Sequence, residues 1–474
     1  MNKLFNKIIP RNSDQVLGVI ISIAIIVFCV KSFARYTGFG TYYFDLGIMH
    51  QVVSNTLHGH FLEMTDPNFY FQGMRLGYHF DFILVFFAPF YYFFHDARVL
   101  LAGQSIILAL GALPLYLLAN DHLKNKKLSL LIVLSYLLYY PMHWTLMADF
   151  HAVTLATTFI LTAWYFMEHK KYALMWVMIV LSWLTKENVA LITGAIGLYV
   201  FFKSNKKQGS LLIGLSIVWF LLVYKVIMPH YRGGTHFAET YYSSDILTNI
   251  HRLFRLESLN YIVTLLFPLL FVPILSPLLL LIALPEWLII LLSSNTNMQL
   301  IQYHYTALLT PFIFLSLIYG IKKVNKKQII LGLIILIQCY TFFTRSPLRI
   351  PYYEDKAALN FVKSWQVKLK DESIPVSTSG HLAPYFSGRR YYYNFLFDFA
   401  YGSQGIKDSE IRALVNHYEK AEYVIIMKSE MDPTDERVMR YYFHLKHNTQ
   451  FIKIADEAGI EVYKKVYNVA YGIK

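Results

Sequence analysis

Long uncharged and mostly apolar stretches recur through the first three quarters of the chain. Several reach the roughly 20 residues that an α-helix needs to cross a bilayer. They lie at 15–30, 99–120, 128–148, 150–167, 172–185, 188–202, 208–224, 258–285, 287–321 and 328–344. The pattern predicts an α-helical integral membrane protein, with the break at Pro273 and Pro277 dividing one of the longer stretches.

Two stretches need separate interpretation. The first has no small-residue cleavage site after Cys29, so it predicts an uncleaved first span rather than a signal peptide. The segment 82–95 is rich in Phe and Tyr and contains Pro89. We expect it to form a juxtamembrane or re-entrant helix at the outer surface, within a large first loop over residues 31–98.

The pattern changes after Arg345 to one typical of a soluble α/β domain. Its predicted elements are a helix over 354–370, a strand Ile374–Thr378, a helix near 408–419, a strand Tyr423–Met427 and a hairpin around 451–466. We therefore predict two domains, a transmembrane domain over 1–344 and a small extracytoplasmic domain over 345–474.

Composition agrees with a membrane protein. Hydrophobic residues make up 56% of the 474 positions and charged residues only 15%, against roughly 25% in soluble domains. The net charge of +13 does not indicate nucleic-acid binding, because the lysines form short clusters between apolar runs. Cys29 and Cys339 both lie inside apolar runs and cannot form a disulfide framework or a zinc site.

The basic clusters predict the orientation, since Lys and Arg near span ends stay on the cytoplasmic side. Five clusters hold 15 basic residues: Lys3/Lys7/Arg11, Lys124/Lys126/Lys127, Lys170/Lys171, Lys203/Lys206/Lys207 and Lys322/Lys323/Lys326/Lys327. Placing all five inside requires about 11 spans. The amino terminus is then cytoplasmic, and the carboxyl-terminal domain lies outside the cell membrane.

With this topology the candidate functional residues converge on the outer side. Asp45 follows the first span at the start of an amphipathic stretch and is suited to act as a general base. The alternative is an N-cap, because an aspartate before a helix satisfies free backbone N–H groups.

Two triplets each place a histidine and an aspartate two residues apart, His79-Phe80-Asp81 and Asp149-Phe150-His151. On extended backbone such pairs share a face and could bind a metal ion or act as an acid/base pair. The plainer alternative is loop histidines oriented by their neighbours. No third ligand follows at fixed spacing, so the sequence predicts no definite cofactor and leaves a divalent cation open.

Lys186-Glu187 separates two short apolar stretches at the outer boundary. Lys186 could hold the phosphate of a lipid carrier, with Glu187 orienting it, because an ammonium in a low-dielectric cavity binds anions strongly. The alternative is a simple ion pair at the edge of the lipid. His304, in a further outer turn, and Arg389, in the soluble domain, complete the candidate substrate-binding residues.

Taken in order, these motifs resemble an uncharacterised prokaryotic family of multi-span membrane proteins known only as a domain of unknown function. The matching stretches are Phe44–Gly47, Asn55–Gly59, His79–Asp81, Gly111–Tyr116, Asp149–His151, Lys186–Asn188, Leu284–Glu286, Tyr303–Tyr305, Ile374–Val376 and His381–Arg389. One departure is Asn188, where the family often has aspartate.

That family in turn looks like a branch of the GT-C glycosyltransferases, membrane enzymes that take sugars from polyprenyl-phosphate carriers. The resemblance implies a GT-C-like fold and a catalytic carboxylate in the first outer loop, the place of Asp45. It also implies a second acidic residue in the next outer turn, the place of Asp149. The implied partners are a polyprenyl-phosphate-linked sugar, a glycan, lipid or protein acceptor, and the bilayer.

Other functions remain as alternatives. A transporter or flippase of a lipid-linked envelope precursor also fits short, broken spans, but it predicts internal pseudo-symmetry that the order of spans and motifs does not show. A scaffold whose outer domain carries the function predicts that Asp45 is dispensable. Phosphate-binding loops, dinucleotide fingerprints, serine-hydrolase elbows and zinc-protease motifs are absent from the sequence.

Overall fold

The computed structural model describes residues 13–66, 71–234, 236–395 and 417–467. Over these residues the chain divides into two compact units, each built from segments that are distant in sequence. The first unit comprises Met1–Ser32, Leu76–Ile83 and Leu101–Pro351, and the second comprises Phe33–Arg75, Leu84–Leu100 and Tyr352–Lys474.

The first unit is helical. Within the described residues its main helices are Ser13–Thr37, Arg98–Leu110, Ala112–Leu123, Lys126–Leu137, Tyr140–Met147, Val153–Glu168, Tyr172–Trp183, Val189–Lys203, Lys206–Leu221, Leu256–Leu266, Pro277–Ile282, Leu284–Leu291, Thr310–Lys322 and Lys327–Arg345. Asparagine side chains cap two of them: Asn125 accepts from the amides of Lys127 and Leu128, and Asn205 accepts from that of Gln208.

Four helical stretches in the described part of the chain are long and apolar enough to cross a membrane. They are Ser13–Thr37, Arg98–Leu123, Lys206–Arg232 and Lys327–Arg345, and the pair Lys126–Leu137 and Tyr140–Met147, bent by 45°, would make a fifth. Five shorter apolar helices accompany them. Large apolar side chains such as Val218 and Leu336 are more than half exposed on these helices, which is favourable only where the surroundings are also apolar.

Several apolar runs are broken where the sequence alone suggests one helix. The run 99–120 has its break at Gly111, where a side chain would meet the hydroxyl of Tyr136 at 2.6 Å and that of Thr158 at 2.9 Å. The run 258–285 breaks between Phe267 and Leu275, where Leu270 and Phe271 both have positive φ. Helix ends are therefore set by close packing and local turns as well as by hydropathy.

The second unit contains the small carboxyl-terminal sheet domain that the sequence predicts. Its five strands are β3 Val376–Thr378, β4 Tyr392–Asn394, β5 Tyr423–Met427, β6 Phe451–Glu457 and β7 Ile460–Lys465. They lie in the order β4-β3-β5-β7-β6, with β3 parallel to β4 and β5, and the remaining pairs antiparallel. Helices Lys356–Lys368 and Glu436–His447 accompany the sheet, while most of the helix predicted near 408–419 lies outside the described residues.

Segments of the predicted first loop complete the second unit. Helix Ile48–Leu57 follows a π-helical turn at Tyr43–Gly47, and a short antiparallel pair joins β1 Glu63–Thr65 to β2 Gln72–Met74. Gly47 packs closely against this unit's carboxyl-terminal segment, since its carbonyl accepts from the hydroxyl of Ser387 at 2.7 Å. The segment 82–95 forms a 3₁₀ turn Phe82–Phe87 and a helix Ala88–Phe93 with exposed aromatic side chains.

Candidate functional site

Glu187 lies at the centre of a buried polar cluster in the first unit. It belongs to the short connection between helices Tyr172–Trp183 and Val189–Lys203 and is almost fully buried. One carboxylate oxygen, Oε1, lies 3.0 Å from Nδ1 of His79 and 3.5 Å from Nε2 of His236. The other, Oε2, accepts the backbone N–H of Phe80 at 3.1 Å. Three segments of the chain therefore meet at one carboxylate.

The cluster keeps this carboxylate charged. Burial alone would raise the pKa of Glu187, but the charge of His79, hydrogen bonds from His236 and His79, and the nearby Lys186 together hold that pKa well below its usual value. A buried carboxylate with these partners is a fixed negative centre at neutral pH. It can orient a histidine or bind a cation.

His236 is held in this cluster from its far side. Its Nδ1 accepts the backbone N–H of Ala238 at 3.1 Å, so the ring proton resides on Nε2, toward Glu187. The ring also stacks on Tyr224, with centroids 5.3 Å apart. Sequence reasoning did not select His236 as a site residue, because no motif or spacing connects it to His79 or Glu187.

Lys186 extends the polar surface toward a second group of predicted residues. Its Nζ lies 5.8 Å from the ring centre of Tyr305, and the ring of Tyr305 lies 4.4 Å from that of His304. His304 stacks on His151 with centroids 3.7 Å apart and planes 24° apart. Lys186, His304 and His151 thus come from three separate loops into one continuous arrangement.

The turn Asp149–His151 is fixed by a glutamine that sequence reasoning missed. Gln104 donates to the backbone carbonyl of Asp149 at 2.7 Å, and its side-chain oxygen accepts the N–H of His151 at 2.9 Å. Asp149 is buried and has φ of +60°, a conformation that non-glycine residues seldom adopt. Such backbone persists only where the surroundings enforce it, as these two hydrogen bonds do.

Asn188 contacts a second buried acid near Glu187. Its amide donates to Oε2 of Glu286 at 2.7 Å, and Glu286 is almost fully buried. An aspartate at position 188 would place a second carboxylate against Glu286, whereas the amide supplies a donor. Asp81, also predicted from the sequence, is buried next to Phe80, whose amide bonds to Glu187.

In the second unit, Asp45 lies inside the π-helical turn Tyr43–Gly47 and is partly buried. Tyr42 precedes this turn and Gly47 precedes helix Ile48–Leu57, so Asp45 occupies neither N-cap position. The N-cap alternative therefore does not describe this residue.

Arg389, predicted to bind substrate, has a supporting role in the second unit. Its guanidinium donates to the backbone carbonyls of Phe386 at 2.8 Å, Ile374 at 2.9 Å, Leu369 at 3.0 Å and Asp371 at 3.4 Å. The side chain is buried, and burial lowers the pKa of Arg389 to about 10, which still leaves it charged at neutral pH. These contacts tie the loop after β3 to the end of helix Lys356–Lys368, while substrate binding by Arg389 stays a prediction.

The second unit also contains a serine, a histidine and a glutamate in series. His95 Nε2 lies 2.8 Å from the hydroxyl of Ser54, and its Nδ1 lies 3.0 Å from Oε1 of Glu372. This order is that of a hydrolase triad. Ser54 is completely buried, however, so its oxygen is not accessible to a substrate, and the series connects helix Ile48–Leu57 to Glu372.

Comparisons with known proteins agree with the fold and the motifs. The model of the family described as "Predicted membrane protein (DUF2079)" matches residues 35–462. No curated protein sequence matches the chain.

Among solved structures, the chain is similar to two GT-C glycosyltransferases. ArnT from Cupriavidus metallidurans bound to undecaprenyl phosphate has a TM-score of 0.61 at 11% identity, with 96% of this chain and 98% of that chain covered. Its apo state has a TM-score of 0.59 at 11% identity, with 96% and 99% covered. The arabinofuranosyltransferase AftD from Mycobacteria has a TM-score of 0.52 at 12% identity, with 94% of this chain and 40% of that chain covered. The chain therefore has the GT-C membrane fold.

Proposed function

We propose that this chain, which belongs to the DUF2079 family of predicted membrane proteins, is a membrane glycosyltransferase. In this proposal it transfers a sugar from a polyprenyl-phosphate donor to an envelope acceptor, which is a glycan, a lipid or a protein. The GT-C fold over almost the whole chain supports the proposal, and so does the undecaprenyl phosphate bound by ArnT. The observation that carries it is the meeting of Lys186, His151 and His304 from three loops, because one ammonium and two imidazoles can together bind a phosphate.

The proposed topology has 11 spans in the cell membrane, with the amino terminus inside and the sheet domain outside. The four long apolar helices and the bent pair would be five of these spans. The other six would be four of the shorter apolar helices, with Phe82–Phe93 left out, the helix Val153–Glu168, and the pair Pro277–Ile282 and Leu284–Leu291. Short and broken helices are tolerated at membrane depth where they line a cavity. A single cysteine at Ser373, which is exposed, should react with an impermeant reagent from outside after Cys29 and Cys339 are replaced by serine.

The proposed reaction is an inverting displacement. Asp45 accepts the proton of the acceptor hydroxyl as that oxygen bonds to the anomeric carbon of the sugar. The bond between this carbon and the phosphate oxygen breaks, and its electron pair leaves with the polyprenyl phosphate. Lys186, assisted by His151 and His304, stabilises the negative charge that develops on the leaving phosphate.

The other predicted residues receive supporting roles in this proposal. Asp149 is the second catalytic acid, held in its strained turn by Gln104. His79, Asp81 and Glu187 contribute to substrate binding from the adjoining buried cluster. The mechanism requires no nucleotide, because the energy of transfer comes from the phosphate ester of the donor.

The test uses purified full-length protein in lipid nanodiscs with a panel of radiolabelled polyprenyl-phosphate sugars and a crude envelope extract as acceptor. Release of polyprenyl phosphate, coupled to incorporation of label into the extract, is expected for at least one donor. Asp45→Asn and Lys186→Gln should each lower this rate by about 100-fold or more, the usual effect of removing a general base or an electrostatic stabiliser.

Two control substitutions test whether a loss of transfer is specific to the proposed site. Asp355→Asn preserves an N-cap on helix Lys356–Lys368, and Lys203→Gln alters an exposed lysine at a helix end, so both should retain the parent rate. An Asp45→Asn protein that transfers sugar at the parent rate would refute the base assignment. Movement of intact donor between leaflets, with no release of polyprenyl phosphate, would favour the flippase alternative.

A further inference from the structure

We propose that His79, Glu187 and His236 form a binding site for a divalent cation of the zinc class. Each residue offers one ligand atom, and these atoms lie within 4.8 Å of one another. Two histidines and one carboxylate are a donor set that zinc accepts, often leaving a fourth position open for water or substrate. This inference goes beyond the proposed transfer reaction, which does not require a metal ion.

Two of the three ligand distances, those from each histidine to Glu187, match a tetrahedral ion. With metal–ligand bonds of about 2.0–2.1 Å, adjacent ligands in a tetrahedron lie about 3.3 Å apart. Nδ1 of His79 lies 3.0 Å from Oε1 of Glu187, and Nε2 of His236 lies 3.5 Å from the same oxygen. Both values lie within about 0.3 Å of that spacing.

The ligands are also oriented by outer contacts, as metal ligands usually are. The backbone N–H of Phe80 binds the second oxygen of Glu187 and leaves Oε1 facing the two histidines. Stacking on Tyr224 fixes the plane of the His236 ring. The three ligands come from separate segments, so a bound ion would tie the first loop to two later connections of the first unit.

The hydrogen bond between His236 and Ala238 opposes metal binding. Nδ1 of His236 accepts the N–H of Ala238, so Nε2 carries the ring proton in the structure. Metal binding displaces that proton, and the Ala238 contact must then loosen as Nδ1 becomes protonated. Without metal, the same atoms make a hydrogen-bonded His-Glu-His triplet, which is the competing interpretation of the cluster.

An entry route lies beside the ligands. His236 lines a cavity of about 200 Å³ together with Tyr224, Lys225, Pro229, Gly234 and Glu239. The side chain of His79 is 25% exposed, whereas those of Glu187 and His236 are only 6% and 5% exposed. An ion can therefore reach a site whose two innermost ligands are shielded from water.

The test measures metal directly, independently of any sugar transfer. The full chain is purified with a tag that contains no histidine, stripped with a chelator, and titrated with zinc. Elemental analysis after gel filtration should find about one zinc per chain. Cobalt loading should give the visible absorption bands of a tetrahedral ion.

Variants assign the site to these residues. Glu187→Gln and His236→Ala should each weaken zinc binding by at least about 100-fold, and His79→Ala, at the most exposed ligand, serves if the buried variants fail to fold. Glu257→Gln and His251→Ala change exposed residues and should bind zinc like the parent. Equal zinc binding by parent and folded ligand variants would overturn the proposal, as would a stripped parent protein that takes up neither zinc nor cobalt. The latter result would identify a hydrogen-bonded triplet only.

Discussion

The two adjacent arginines of the second unit should respond very differently to removal. Arg389 is buried and donates to four backbone carbonyls, whereas Arg390 pairs with Glu63 at 2.8 Å and is partly exposed. Comparing the stabilities of Arg389→Ala and Arg390→Ala therefore distinguishes a buried structural arginine from a surface arginine at neighbouring positions.

The magnitude follows from the contacts. Three of the Arg389 hydrogen bonds are 3.0 Å or shorter, and each buried acceptor left without its donor costs about 1–3 kcal/mol. Because such costs overlap in one network, we expect Arg389→Ala to lower the free energy of unfolding by about 3–5 kcal/mol. A surface ion pair contributes about 0–1 kcal/mol, which is the expected effect of Arg390→Ala.

Thermal unfolding of the purified variants, followed by circular dichroism and by limited proteolysis of the sheet domain, measures the difference. At about 2–4 °C per kcal/mol for a cooperative unit of 150–250 residues, Arg389→Ala should lower the midpoint by about 6–20 °C. Arg390→Ala should lower it by less than about 4 °C. Equal midpoints for both variants, with sugar transfer lost only in Arg389→Ala, would refute the structural role and support substrate binding by Arg389.

Three further predictions concern packing, pH and a buried acid. Gly380→Ala should destabilise the second unit by about 1–3 kcal/mol, because the added carbon would overlap the ring of Tyr42. Gly332 has open space around it, so the control Gly332→Ala should change stability by less than about 1 kcal/mol. Chemical denaturation measures the free energy of unfolding of both variants. Burial lowers the pKa of His50 to about 3, so the unfolded chain takes up the proton first as pH falls below 6.5. The contribution of His50 to stability should then fall by about 2 kcal/mol between pH 7 and pH 5, and His50→Gln should reduce the pH dependence of the unfolding midpoints by that amount. Glu168→Ala should lower the free energy of unfolding by about 2–3 kcal/mol, because three side-chain donors at 2.6–2.8 Å lose their acceptor. Thermal unfolding measures this change, and an unchanged midpoint would contradict the prediction.

Local patterns predicted the carboxyl-terminal strands well. The apolar segment Tyr423–Met427 forms β5 with those bounds, and the hairpin expected around 451–466 is β6 and β7. Its turn at Ala458 and Gly459 has positive φ at both residues, a property that the sequence signals through the glycine. Alternation and turn chemistry act over a few residues, so a single sequence is enough to show them.

The sequence predicted only part of the candidate site. The sequence marks Lys186, His151 and His304 through their positions between apolar runs, yet it gives no sign that their loops meet. Gln104 and His236 lie outside every motif and became visible only through three-dimensional contacts with Asp149 and Glu187. For Arg389, charge and position in a motif cannot distinguish a guanidinium that binds a ligand from one that binds backbone carbonyls.

The second unit is built from segments that are distant in sequence, and this constrains the order in which the protein can fold. Ser387 bonds to Gly47 across 340 residues of chain, and Gln51 bonds to the carbonyl of Arg389 across 338. During synthesis, the first-loop residues of this unit emerge long before the carboxyl-terminal residues that they contact. These early residues therefore remain incompletely folded while the helical unit is inserted into the membrane. The second unit can complete its folding only after the carboxyl-terminal residues have left the ribosome.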